Sequence, residues 1–173
     1  VRAGPPKRDR ECHTDYNGAA REKNLDGATV WDGNWAWSLP LIIVTVIFHV
    51  IGMVFLNEKI VAAMRRLKIH FRFLFAFALV MGIGTLFAIL LHAIEAGIWA
   101  AVYWTLGALP NGKSALLYSL SAMTTYGHEP LYLAEHWQLM GALEALNGMI
   151  LFGLTTAFLY GMIREILAER RTA

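Results

Sequence analysis

One cysteine, Cys12, stands in 173 residues, which excludes an intramolecular disulfide and any multi-thiolate metal site. Charge is scarce too: 16% of the residues are Asp, Glu, Lys or Arg, against 57% hydrophobic. A compact soluble domain of this size cannot hide so much apolar surface. The net charge of +2 gives no case for nucleic acid as a partner. The first 30 residues hold no apolar h-region, so no early signal peptide is expected. There is no nucleophile–base pairing, phosphate loop or dense carboxylate site, so an enzyme is not expected, and no cofactor or bound metal with it. Regularly spaced arginines of the voltage-sensor type are absent from every apolar run.

What the chain does have is a segregated pattern. Residues 1–37 form a polar tail expected to lie outside the cytoplasm, and its residues 1–30, which show no sustained periodicity, are expected to be largely disordered. Its end carries Trp31, Trp35 and Trp37, read as an interfacial collar, because the indole ring is apolar while its N–H needs a partner. Residues 38–57 are the first candidate transmembrane helix. Its run from Leu39 to Leu56 reaches about 27 Å, just enough for a hydrocarbon core of about 30 Å. His49 is its one ionisable residue and is expected to be packed or hydrogen-bonded rather than a sensor. Residues 58–72 form a basic connector. Residues 73–163 hold two more apolar runs, 73–106 and 139–163, and residues 164–173 form a C-terminal tail.

Between those two runs lies an apolar stretch too short to cross a bilayer. Ala115 to Met123 leads straight into Thr124-Thr125-Tyr126-Gly127-His128-Glu129. Leu109-Pro110-Asn111-Gly112-Lys113 is a turn by its Pro, Asn and Gly content, and Ser114 is a plausible N-cap for the helix that follows. Unpaired backbone at membrane depth is tolerated only inside protein or along a watery path. A span, a half-length helix over 114–124, a hydroxyl- and glycine-bearing turn over 124–129 and another span is the order of a re-entrant pore loop. Lys and Arg set the expected orientation. Five lie in the 57–72 connector, Lys113 stands alone in 107–138, and Arg164, Arg170 and Arg171 follow the last span. The connector and C-terminus are therefore placed in the cytoplasm, with the N-terminus and the short helix outside.

From about residue 88 to 163 the chain resembles the pore module of potassium channels, and more narrowly the small bacterial two-pore-domain-like channels with an extra N-terminal span. The residues that carry the resemblance are Leu117 to Thr125, Gly127, Trp137, Leu143-Glu144-Ala145-Leu146-Asn147-Gly148 and Thr155-Thr156-Ala157-Phe158. Upstream, His92-Ala93-Ile94-Glu95, Trp99-Ala100 and Tyr103 belong to the same pattern. The departure is in the filter run of that family, Thr-Thr-Val/Leu-Gly-Tyr-Gly-Asp. Here Tyr126 stands at the Val position and His128 at the Tyr, while Glu129 replaces the second Gly and Pro130 the Asp. A potassium filter swaps the ion's water for rings of backbone carbonyls, and glycines permit the dihedrals that turn them inward. Strict potassium selectivity is therefore not carried over.

The resemblance implies an all-α integral membrane protein of three transmembrane helices plus a re-entrant pore helix and filter loop, assembling as a homotetramer in a bacterial inner membrane. It implies a passive cation channel with K+ as the leading permeant ion. One copy leaves the polar loop facing lipid, whereas four copies around an axis enclose it. The expected ion-binding residues are Thr124, Thr125, Tyr126, Gly127, His128 and Glu129. His92 and Glu95, three apart on one face, and Glu144 are expected to form one hydrogen-bonded cluster that braces the loop. On the last span Asn147, Gly148 and Gly153 are candidate hinge or pore-lining positions, with Asn147, Leu151, Leu154 and Phe158 favoured as the pore-facing stripe. Membrane lipids are the other expected partner, the connector being able to meet anionic headgroups. The rival readings are a haem- or metal-binding membrane protein using His49, His92, His128 and His136, and a non-conducting regulatory pore homologue.

Overall fold

The computed structural model describes residues 8–66, 73–127 and 131–172. All regular structure among them is helical: α1 (Arg8–Arg66), α2 (Phe73–Thr105), α3 (Gly112–Met123), a single 3-10 turn at Glu135–Trp137, and α4 (Gln138–Thr172). Three stretches are long and apolar enough to span a membrane, Trp31–Ile60, Leu74–Thr105 and Glu135–Ala168. The chain thus has the character of a membrane protein. At 1.5 Å per residue α3 reaches only about 18 Å, well short of a crossing.

Several expected boundaries move outward. The N-terminal tail is not a coil from Arg8 onward, since α1 begins there and continues through Pro40. Lack of an apolar stripe argues against a packed helix, not against a helix. Proline removes one helical N–H link without ending α1. The connector is helical as far as Arg66, with 67–72 outside the described residues. At the C-terminus α4 runs on to Thr172 where a tail was expected, because nothing in Arg164 to Thr172 breaks a helix. Trp31 and Trp37 are exposed near the start of the first span.

Two apolar cores lie at opposite ends of the bundle. One gathers Leu41 of α1, Trp99 and Tyr103 of α2, Ala115 and Met123 of α3, and Met140 of α4. The other gathers Met53, Leu56 and Ile60 of α1, Val80, Ala88 and Leu91 of α2, and Met162 and Ile166 of α4. Only the first includes α3, so α2 ends and α4 begins at the same end of the bundle. Asn34 of α1 fastens that end. Its Nδ2 donates to the His136 carbonyl at 2.6 Å, and its Oδ1 accepts from the Met140 N–H at 3.0 Å, serving one of the N–H groups that a first helical turn leaves open. Inside the bundle the polar side chains of Thr45, His49, His92, Glu95, Glu144 and Asn147 are buried, Glu144 and Asn147 at the level of the first core.

Candidate functional site

Helix α3 starts two residues before the expected cap. Asn111, not Ser114, is the N-cap, its Oδ1 accepting from the Ser114 N–H at 2.8 Å, because the extended backbone at Asn111 aims the short amide side chain into the open first turn. At the other end α3 closes with a Schellman turn. The Tyr126 N–H donates to the Ser121 carbonyl at 2.9 Å and the Thr125 N–H to the Ala122 carbonyl at 3.0 Å. Helix α2 ends in the same way, with Ala108 N–H to Tyr103 O at 2.9 Å and Gly107 N–H to Trp104 O at 3.1 Å. The left-handed residue of the α2 turn is Gly107, φ 67°, whereas in α3 it is Thr125, φ 55°.

That contrast marks Thr125 as strained. A left-handed backbone costs an L-residue about 1–2 kcal/mol, and β-branching makes it worse. Strain of this kind gathers where function fixes the conformation. Thr125→Gly is accordingly expected to stabilise the fold by about 0.5–1 kcal/mol, the relieved strain being partly offset by the extra freedom of an unfolded glycine. Thermal melts of the full chain in detergent check this, with Thr125→Ala as the control that gains nothing comparable.

Beyond Thr125 the backbone keeps alternating. Gly127 has φ 64°, while Tyr126 between them is not in the positive-φ region. Ser121 holds the turn from within α3, its Oγ accepting from the Gly127 N–H at 3.1 Å. The Thr124 hydroxyl donates back to the Leu120 carbonyl at 2.6 Å, and the Thr125 hydroxyl to the Thr124 carbonyl at 2.7 Å. Thr124, Thr125, Tyr126 and Gly127 are all exposed on the single chain. His128 and Glu129 lie outside the described residues.

The expected three-residue brace separates into two networks. Glu144 of α4 is fully buried, and its Oε2 accepts from the Tyr103 hydroxyl at 2.7 Å. Its Oε1 meets the Ser119 hydroxyl of α3, whose Oγ also lies 2.8 Å from the Ala96 carbonyl of α2. This network ties α2, α3 and α4 directly behind the turn, with the Tyr103 and Tyr118 rings edge to face at 5.5 Å.

His92 and Glu95 belong to the second network, which does not include Glu144. Glu95 Oε1 lies 2.9 Å from His49 Nδ1 and Oε2 lies 3.1 Å from His92 Nδ1. Both Nε2 atoms lie 3.0 Å from the Thr155 hydroxyl of α4. The division follows from depth: Glu95 sits about two turns of helix below the level of Glu144's partner Tyr103, and reaches α1 instead. His49, His92 and Glu95 are close enough together to surround one cation. Each of their polar atoms is, however, already engaged in a hydrogen bond within the group or to Thr155.

The remaining expected positions divide the same way. Asn147 is buried, its Nδ2 donating to the Thr45 hydroxyl at 2.9 Å, and Leu151 is fully buried. The stripe favoured as pore-facing therefore packs inside the chain, because Asn147 finds its partner on α1. Gly148 sits against Met123, where an added Cβ would meet the Met123 carbonyl oxygen and lie 2.8 Å from its Cγ. Gly153 has nothing within 4 Å of such a Cβ and is exposed. His49, Ser119 and Thr155 were not singled out as bracing residues from the sequence. The signal for them is depth: a hydroxyl or imidazole at the level of another span's buried carboxylate. No protein-family model, curated protein or solved structure matches this chain.

Proposed function

We propose that the chain is the subunit of a potassium-channel-like cation channel, a homotetramer in which α3 is the pore helix and the turn from Thr124 onward the ion-binding loop. The observation that carries this is α3 itself. It is a helix too short to cross, rooted at one end of a three-span bundle, and it terminates in an exposed turn with positive φ at Thr125 and Gly127. Exposed polar backbone beside lipid is untenable, and four copies that direct their turns to a common axis remove the problem. The C-terminal ends of four α3 helices then bring about half a negative charge each toward that axis, favouring a cation. The exposed face of α4, with Met149, Gly153, Thr156 and Tyr160 at helical spacing, is the face available to line the path below the turn or to meet a neighbouring subunit. The positive-inside rule orients the turn to the outside and both α1's end and α4's end to the cytoplasm.

The test is flux. The purified full chain in liposomes is expected to pass K+, with bi-ionic reversal potentials against Na+ and then Ca2+ giving its selectivity. A tetramer that passes no ion is the non-conducting homologue instead. An absorption spectrum of the same preparation separates both from a haem protein. Labels at residues 113 and 138 reached from opposite faces of the membrane, or a strictly monomeric assembly, end the channel proposal.

A further inference from the structure

His49, Glu95, His92 and Thr155 close a ring of four links, His49–Glu95, Glu95–His92, His92–Thr155 and Thr155–His49, each 2.9–3.1 Å long. The ring joins α1, α2 and α4 midway between the two apolar cores, and the side chains of His49 and Glu95 are completely buried. A link between two electronegative atoms needs one hydrogen. Two neutral imidazoles bring one each and the threonine hydroxyl brings one, so an ionised Glu95 leaves one link of the four without a hydrogen. At that link two lone pairs would face each other at about 3 Å, next to the fully buried side chains of His49 and Glu95.

We infer that this ring is a buried proton-binding site, holding one proton beyond those of two neutral imidazoles, a hydroxyl and a carboxylate. With that proton every link is filled. Glu95 accepts from both Nδ1–H groups, one imidazole donates from Nε2 to the Thr155 oxygen, and Thr155 donates to the Nε2 of the other. Shifting the proton onto Glu95 fills the same four links, so the proton is shared around the ring. The charge closes as well. The carboxylate's single negative charge is cancelled, whereas the ring without the proton would hold an uncompensated charge within the apolar span, which is unfavourable.

Among the described residues the groups whose side chains hydrogen-bond to the Glu95 carboxylate are the two imidazoles, and no other group on the surrounding helices does so. From α1, Thr45 donates to its own helix at the Leu41 carbonyl and accepts from Asn147. From α2, α3 and α4, the titratable groups Tyr103, Tyr118 and Glu144 belong to the network behind the turn. Phe152 packs on the His92 ring at 4.4 Å. The Thr155 hydroxyl also lies 3.0 Å from the Leu151 carbonyl. Donation there would require both Nε2 atoms to carry hydrogen, a second added proton and a net positive ring.

The ring is one residue from the support of α3, since Ala96, next to Glu95, offers the carbonyl that faces the Ser119 hydroxyl. Its proton therefore acts on the turn through a short path, a consequence that rests on the channel proposal. The proton count does not.

The experiment uses the full chain in nanodiscs at neutral pH, 15N-labelled at histidine. His13→Gln, His70→Gln, His128→Gln and His136→Gln, combined, leave only the two ring histidines. The expected result is one added proton. It appears as one imidazolium's worth of shift distributed over the two rings, or as a protonated-carboxyl infrared band that Glu95→Gln abolishes. In Glu95→Gln the amide supplies the fourth hydrogen from its own N–H. That variant is expected to keep the ring closed with two neutral imidazoles of opposite tautomer. Two neutral imidazoles with an ionised carboxylate in the unsubstituted ring would overturn the proposal. So would two imidazoliums, or metal-bound nitrogens with stoichiometric metal by elemental analysis.

Discussion

Glu144→Ala is expected to melt about 10 °C below the parent chain, while Glu144→Gln stays close to it. The carboxyl is fully buried with both oxygens engaged, Oε2 by the Tyr103 hydroxyl and Oε1 by Ser119. Alanine strands the Tyr103 hydroxyl in an apolar core and leaves a void beside Ser119. A buried polar group without a partner costs about 1–3 kcal/mol, and the cavity adds to it, for a total of about 3–5 kcal/mol. For a chain of this length each kcal/mol moves the midpoint by about 2–4 °C. Glutamine has the right atoms. Its amide oxygen accepts from Tyr103 and its N–H donates to Ser119 Oγ, whose one hydrogen then turns to the Ala96 carbonyl. Tyr103→Phe removes only one donor and is expected to cost about 1 kcal/mol. Melting curves in detergent for the three variants check the ranking. An alanine variant as stable as the glutamine one would mean that Glu144 is not a tie between α3 and its neighbours. In liposomes the alanine variant is also expected to lose cation flux, since Ser119 fixes the helix that presents the turn.

The sequence carried the spans and the short helix because their signals are physical and local. Length and apolar content decide what can cross, and Pro110-Asn111-Gly112 with the Gly107 turn punctuate α2 and α3 without tertiary help. The brace was legible only in kind. Glu95 and Glu144 stand out because carboxylates inside apolar runs must find partners. Which partners they find depends on the rotation of α1 and α4 about their axes, and no local pattern encodes that. The last span shows the difficulty. Its apolar residues surround it on all sides, so no single stripe announces an inward face, and Asn147 and Leu151 turn toward α1 rather than toward a pore. The strain at Thr125 was hidden too. Threonine there reads as an ordinary helix end until it is set beside Gly107 in the same kind of turn.

Gly148→Ala is the substitution expected to act on the turn most directly, although it touches none of the turn's own residues. The α4 backbone passes so close to the end of α3 that a methyl group at 148 would overlap the Met123 carbonyl and crowd its side chain. A flexible side chain could swing aside, but a carbonyl cannot move without its peptide. Met123 is the last residue of α3 and is followed by the Thr124 cap, so that peptide belongs to the turn. Relief must come from moving α4 outward or rotating the end of α3. Overpacking of this kind costs about 1–3 kcal/mol. Either movement also disturbs the paired Tyr126–Ser121 and Thr125–Ala122 links. Loss of cation flux should therefore exceed what the loss of stability alone accounts for. Gly153 supplies the contrast. A methyl group there meets nothing within the chain, and exchanging glycine for alanine inside a helix favours the helix by about 1 kcal/mol. Gly153→Ala should leave the subunit's fold intact. Any loss it causes should appear in assembly or conductance, because that glycine faces away from its own chain. Size-exclusion profiles and melts run beside liposome flux distinguish the two. On the channel proposal, a Gly148→Ala variant that passes cations as well as the parent would show that the approach of α4 to Met123 does not set the position of the turn.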